Sequence, residues 1–115
     1  MKVLPFTIPV PHGHTIMVQE EILPHFYTYL HRHAEVQITW IQKGEGTLLA
    51  GNSMHPFHAG EVYLLGANLP HLFKSDPDYF QPENGLEVKT VTIFFCGEIK
   101  ALSETRKGFI HRTTN

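Results

Sequence analysis

The sequence holds one cysteine, Cys96, in 115 residues, so no internal disulfide can staple the fold. No apolar run approaches the roughly 18 residues that a membrane-spanning helix needs. Any apolar leader at the N-terminus is broken by Pro5, Pro9 and Pro11, and no signal peptide is read there. Charge is scarce as well: 17% of the residues are charged, and 9 Lys plus Arg against 11 Asp plus Glu leave a net charge of −2. That balance offers no basic stripe to neutralise phosphates, which argues against direct nucleic-acid binding. With 42% hydrophobic residues the chain is neither disordered nor membrane-like, and its length suits one soluble domain. A single thiol without a leader suits the cytoplasm.

What the chain does have is concentrated in residues 31–71, HRHAEVQITWIQKGEGTLLAGNSMHPFHAGEVYLLGANLPH. In a strand, residues i and i+2 share a face, so His31 and His33 project together, about 7 Å apart along the chain. Extending that geometry puts Glu35, Gln37 and Thr39 beside them and Ala34, Val36, Ile38 and Trp40 on the opposite, apolar face. Gly60-Glu61 then leads the apolar run 62–65 into the turn Gly66-Ala67-Asn68, and Leu69-Pro70 delivers His71.

Around this stretch the chain reads as short strands and turns. Residues 1–14 form a proline-punctuated extended arm, whose His12 and His14 read as loop residues. Residues 15–18 and 22–23 are β-type runs around Gln19-Glu20-Glu21, where a helical turn would fit. Residues 26–30 favour a strand delivering His31, and a further strand covers 35–42. Gly44 and Gly46 reverse the chain into 47–50, and Gly51-Asn52 reverses it again. His55 and His58 read as exposed loop-edge histidines. Residues 76–85 are a turn-rich loop, and 88–96 alternate Thr90 and Thr92 against Val91, Ile93 and Phe95 in the clearest strand after the site. From 98 to 107 the composition turns helical, with Gly108 placed as the left-handed residue past a helix end. About eight short strands at near-regular spacing predict an all-β sandwich or closed barrel over 15–97, with 98–115 as a helical tail or the start of a linker.

The pattern HxH, an amide or acid a few residues on, a glycine turn, Gly-Glu, a short strand and a closing Pro-His resembles the two motifs of the cupin superfamily. More narrowly, residues 31–52 followed by GEVYLLGANLPHLF are similar to the N-terminal sensor domain of AraC-type transcription regulators. The resemblance covers residues 26–96. It implies a cupin jelly roll that binds a small polar molecule, a sugar among the candidates, and that works as a homodimer. In that family two helix-turn-helix motifs follow the barrel, whereas this sequence ends at Asn115. Whether it is part of a longer regulator or a one-domain protein stays open.

The ligand-binding set expected from the motif positions is His31, His33, Glu35, Gln37 and His71. Neutral imidazole is the commonest metal ligand, so His31, His33 and His71, with an oxygen from Gln37, would suit Zn, Ni, Fe or Mn. Metal-binding cupins usually place a glutamate where Gln37 or Ile38 stands. The neutral amide is a poorer donor and no base. The alternative for the three imidazoles is a metal-free polar pocket whose groups satisfy one another or a ligand. Trp40 reads as core or interface, and Cys96 as a small buried hydrophobe. Two classes follow: a binding module that senses a small molecule without converting it, and a free-standing metal-dependent cupin enzyme, an isomerase or dioxygenase. The replaced glutamate, the absence of another candidate base, the Leu-Pro-His close and the helical tail favour the module.

Overall fold

Two-residue alternation of buried and exposed positions builds nearly every element of the computed structural model, which describes residues 2–8 and 16–95, and the backbone of 109–113. Among these residues ten strands form two five-stranded sheets. They are β1 (Leu4–Pro5), β2 (Ile16–Leu23), β3 (His31–Arg32), β4 (Val36–Lys43), β5 (Gly46–Ala50), β6 (Ser53–Phe57), β7 (Glu61–Leu65), β8 (His71–Ser75), β9 (Val88–Phe95) and β10 (Phe109–Thr113). The first sheet runs β1-β3-β8-β5-β6 and the second β10-β7-β4-β9-β2. Each sheet interleaves strands from both halves of the chain, the topology of a cupin-like jelly roll.

Several elements differ from the sequence reading. Residues 16–23 are one continuous strand paired along its whole length with β9, from Ile16 opposite Phe95 to Leu23 opposite Val88. The polar triplet 19–21 does not interrupt it, because Gln19 and Glu21 face a polar interior. Residues 26–30 are irregular, and β3 is only two residues long. Within the arm, Leu4–Pro5 adds a short parallel strand to the edge of β3, where a proline lacking N–H is tolerated. Part of the segment 98–115 read as a helical tail is a strand instead: Phe109–Thr113 takes the open edge of β7 in antiparallel pairing, which satisfies backbone groups that a helix would leave unpaired on that edge. The helical segment expected over 98–107, the His12 and His14 pair and Cys96 lie outside the described residues.

One end of the interior is a dry core of Ile41, Leu48, Phe57, Tyr63, Leu65, Leu69 and Phe73. Phe57 and Tyr63 meet Phe73 edge-on, at centroid distances of 5.4 and 5.8 Å. The buried Glu61 carboxylate accepts from the Tyr63 hydroxyl (3.0 Å) and from the His58 backbone N–H, so the acid of the Gly-Glu motif serves the local structure. His55 is not a loop-edge residue: it lies half-buried within β6, opposite Leu48, and packs edge-on against Tyr63, whereas the exposed His58 follows the strand and lies 4.0 Å from Glu45. Gly46 lets β5 approach β8: a Cβ there would stand 2.0 Å from the carbonyl oxygen of Lys74. The loop 76–85 folds into two 3-10 turns, Pro77–Phe80 and Pro82–Asn84, and ends on Gly85 in the left-handed region at φ 64°.

Candidate functional site

Cross-strand register brings the histidines together. In the β3–β8 pair His31 stands directly opposite His71, and the two rings meet at 4.4 Å between centroids. His33 follows the end of β3, where the chain bends at Ala34-Glu35 before β4 begins. Its carbonyl accepts the Asn68 N–H at 2.7 Å. Asn68 adopts φ 59°, a left-handed conformation that asparagine tolerates better than most residues. The turn that delivers His71 is thereby tied to the backbone of His33.

Each imidazole is oriented in the same way. Nδ1 of His31, His33 and His71 donates to the carbonyl of Tyr29, Glu35 and Leu69, at 2.9, 3.0 and 2.8 Å. A proton on Nδ1 leaves the Nε2 lone pair free in a neutral ring. One ring nitrogen from each histidine lies within 4.8 Å of the other two, and Nε2 of His71 is buried without a hydrogen-bond partner. Burial, with repulsion from His31 and His33 outweighing the Leu69 contact, pushes His71 down to about 3. Burial also lowers His31, against the hydrogen bond to Tyr29. Both rings are therefore neutral near pH 7.

Gln37 extends the site across the floor of the second sheet. Its Oε1 lies 2.9 Å from Nε2 of His33, its Nε2 donates to Thr39 Oγ1 at 2.6 Å, and Thr39 meets Thr92 at 3.0 Å. An amide oxygen only accepts, so this orientation needs protons on both nitrogens of His33. Turning the carboxamide over puts its NH2 on a neutral ring and lets Thr39 donate to the oxygen. In either arrangement His33 is fixed at the cavity wall.

A cavity of about 310 Å³ opens beside this cluster, lined by His31, His33, Gln37 and His71 together. Glu35 is not among its lining residues. It holds His33 through its carbonyl, while its carboxylate lies 3.9 Å from His33 Nδ1 with one oxygen buried and unpartnered. The sequence reading missed further polar lining: Thr7 on the arm, Gln19 and Glu21 on β2, and Thr90 and Thr92 on β9. The signal was the period of two: Gln19 and Glu21 share a strand face, and they stand opposite Thr92 and Thr90. Glu21 also corrects the expectation that no further base is present, because burial raises its carboxyl above the ordinary range. Apolar walls come from Phe26, Phe73 and Phe94, and from the arm, where Phe6 stacks on His31 at 4.6 Å with Tyr27 edge-on beyond it.

The same strands turn an apolar face outward. Val18, Ile93, Ile38 and Leu64 align in one row across β2, β9, β4 and β7, next to Trp40, which is 43% exposed. Trp40 is not core. The polar and apolar faces of β4 are thus reversed relative to an ordinary half-buried strand, with the polar one inside.

A family model described as the AraC-like ligand binding domain matches residues 14–93. The chain belongs to that family. Two solved structures share the fold of this AraC-like domain. One is unsaturated fatty acid-bound wild-type ToxT from Vibrio cholerae strain SCE256, with a TM-score of 0.56 and 16% identity over 92% of this chain and 43% of that one. The other is apo ToxT K231A from the same strain, with a TM-score of 0.55 and 17% identity over 90% of this chain and 43% of that one. The chain thus spans less than half the length of these relatives. No curated protein matches it in sequence. No helix among the described residues is long and apolar enough to cross a membrane.

The arrangement also passes a test for a divalent ion. Three oriented imidazoles converge, and the buried, unpartnered Nε2 of His71 is the kind of atom an ion would satisfy. His31, His33 and His71 would hold it once His33 Nε2 gives up its 2.9 Å contact with Gln37, whose oxygen would be a weak further donor, and the ion would supply a Lewis-acid anchor for a ligand oxygen.

Proposed function

We propose that this domain is the small-molecule sensor of an AraC-type regulator, binding its ligand in the cavity without converting it and acting through attached DNA-binding helices or a partner subunit. The observation that carries this reading is the make-up of the cavity wall. The arm, both sheets and the histidine cluster all contribute to it, so one ligand would touch elements from Phe6 to Phe94 and bias their arrangement. The lining is rich in hydrogen-bond acceptors, which favours a small polar ligand bearing donors, sugars included. The fatty acid named for the ToxT structure supports the same use of the fold with different ligand chemistry, since its carboxylate would enter a cavity that already holds Glu21.

Self-association as a homodimer is supported by the outer face carrying Val18, Ile38 and Trp40, and a transcription regulator would work in the cytoplasm. The deciding experiment is a thermal-shift screen of small metabolites, with every hit assayed for turnover. A hit recovered unchanged supports the sensor, and stabilisation by mass action gives its affinity.

The second reading, a metal-dependent cupin enzyme, rests on the three ring nitrogens and on Glu21 as a base. Metal analysis of protein purified without an affinity tag, followed by Zn or Ni titration of the wild type and of His33→Ala, tests it. Unchanged affinity in the variant removes the ion from this cluster, and metal-dependent consumption of a hit would replace the sensor with the enzyme.

A further inference from the structure

We propose that Glu21 is the residue by which the cavity selects its ligand, and that the group it selects is a cationic nitrogen: a primary ammonium on a small, partly apolar skeleton. The proposal rests on the sensor reading and narrows its ligand to one chemistry.

Glu21 stands on β2 with its side chain in the cavity wall. Directly across the β2–β9 pair is Thr90, and Gln19 and Thr92 follow one step along the same face. Two hydroxyls and a carboxamide, all able to accept from a donor, therefore share the cavity wall and the sheet face of Glu21. Among the described residues no hydrogen bond or ion pair engages the Glu21 carboxylate, and burial alone pushes its titration upward. A half-buried carboxylate without a partner carries part of the desolvation cost, and a ligand cation relieves it while gaining charge-assisted hydrogen bonds.

The remaining walls agree. Phe6, Phe26, Tyr27 and Phe73 line the same space, and ring faces attract an ammonium. His31 and His71, held neutral by burial, add no positive charge to repel it, and His33 adds none in the arrangement where Gln37 turns its NH2 towards a neutral ring. No described lining residue is Lys or Arg. A carboxylate head group would sit against Glu21 with nothing to neutralise either charge. A hydroxyl would be accepted but would leave the charge of Glu21 unmatched. The ranking that follows is ammonium, then alcohol, then carboxylate.

Three probes sharing one skeleton test this: 2-phenylethylamine, 2-phenylethanol and phenylacetate, titrated calorimetrically into the full chain at neutral pH in metal-free buffer. The amine binds about tenfold tighter than the alcohol, the factor expected for replacing a neutral by a charged hydrogen-bond partner, and phenylacetate binds most weakly. In Glu21→Gln, which keeps the shape of the side chain, the advantage of the amine over the alcohol disappears. In His58→Ala, away from the cavity, it persists. Equal or tighter binding of the alcohol or carboxylate by the wild type overturns the proposal, as does an amine preference that survives Glu21→Gln. Should that variant fail to fold, the amine and its N-trimethyl analogue are compared on the wild type. Weaker binding of the analogue, which keeps the charge but has no N–H donors, supports the proposal, and equal binding overturns it. Binding of none of the three probes by a protein that a neutral sugar stabilises overturns the ammonium and leaves the sensor standing. No stabilisation by sugars, fatty acids, amines or any other class in the metabolite screen overturns the sensor itself.

Discussion

The two ends of the barrel interior are built from the same strands and do opposite things. On β4, Gln37 and Thr39 face the cavity and Ile41, two residues on, is fully buried in the dry core. On β9 the inward side chains run Phe94, Thr92 and Thr90 along the cavity before Val88 is sealed off. The apolar end holds rings and branched aliphatics packed against each other. The other end encloses the cavity and, among the described residues, a carboxyl without a partner and a histidine nitrogen without a hydrogen bond. Stability is thus concentrated at one end, and the other is free to hold groups that only a ligand or an ion would satisfy.

Core truncation should break this division most severely. Phe57→Ala removes a fully buried ring and is expected to cost about 3–5 kcal/mol, read from urea unfolding, and Gly46→Ala should also be severe because its Cβ meets backbone rather than a movable side chain. A loss below about 1 kcal/mol for Phe57→Ala would mean that the apolar end is not the stabilising one.

Acid is the next largest perturbation, and it acts at the cavity end. His71 titrates well below its ordinary value in the fold, so its contribution is intact above about pH 6.5 and is lost as pH falls towards 3, when the unfolded chain takes up the proton first. The ceiling is about 5 kcal/mol. His71→Leu should flatten that part of the stability-pH curve, and an unchanged slope would remove His71 as the cause.

Glu21→Gln has a smaller effect of opposite sign. A carboxyl raised by burial favours the fold at low pH and loses that contribution as pH rises, so the neutral amide should leave the ligand-free protein as stable at pH 7 as the wild type, or slightly more so. A lower melting temperature than the wild type at pH 7 would mean that the carboxylate is paired. The smallest effect on folding belongs to Val18→Lys on the outer face, where Val18 is 62% exposed. It should change stability by no more than about 0.5 kcal/mol while abolishing the homodimer proposed on that face, read as a monomer mass by light scattering where the wild type gives twice that mass.

The legibility of these features in the sequence follows the same division. Strands β4, β5, β7 and β9 and the meeting of His31, His33, Gln37 and His71 could be read, because turn glycines and the HxH and Pro-His motifs mark them locally, whereas β6, with Pro56 and an exposed face, did not read as a strand. Glu21 could not. Alternation shows that Gln19 and Glu21 share a face with each other and Ile16, Val18 and Ile22 with one another, but the usual rule sends the polar face to water, and a polar cavity reverses it. The same reversal hid the exposure of Trp40. Residues 26–30 looked like a strand from their aromatic content, yet Phe26 instead packs against the core from an irregular segment. The edge strands β1 and β10 carry little pattern of their own and are defined by the strand each one pairs with.

The pairing of β2 with β9 also bears on how the chain is made. β2 is complete at Leu23, but its hydrogen-bonding partner begins only at Val88. Translation at about 5–20 residues per second leaves that strand waiting roughly 3–13 s for the rest of its sheet, with Ile16, Val18 and Ile22 along one side. Pairings this distant in sequence also slow folding after release, since loop entropy is lost before any contact compensates for it. The nascent chain is therefore most vulnerable to association between strand edges before its ninth strand emerges. An arrest series that holds Val88–Phe95 inside the ribosomal exit tunnel and then, on a longer C-terminal extension, outside it, probed by limited proteolysis, would show protection of β2 appearing only in the longer chains.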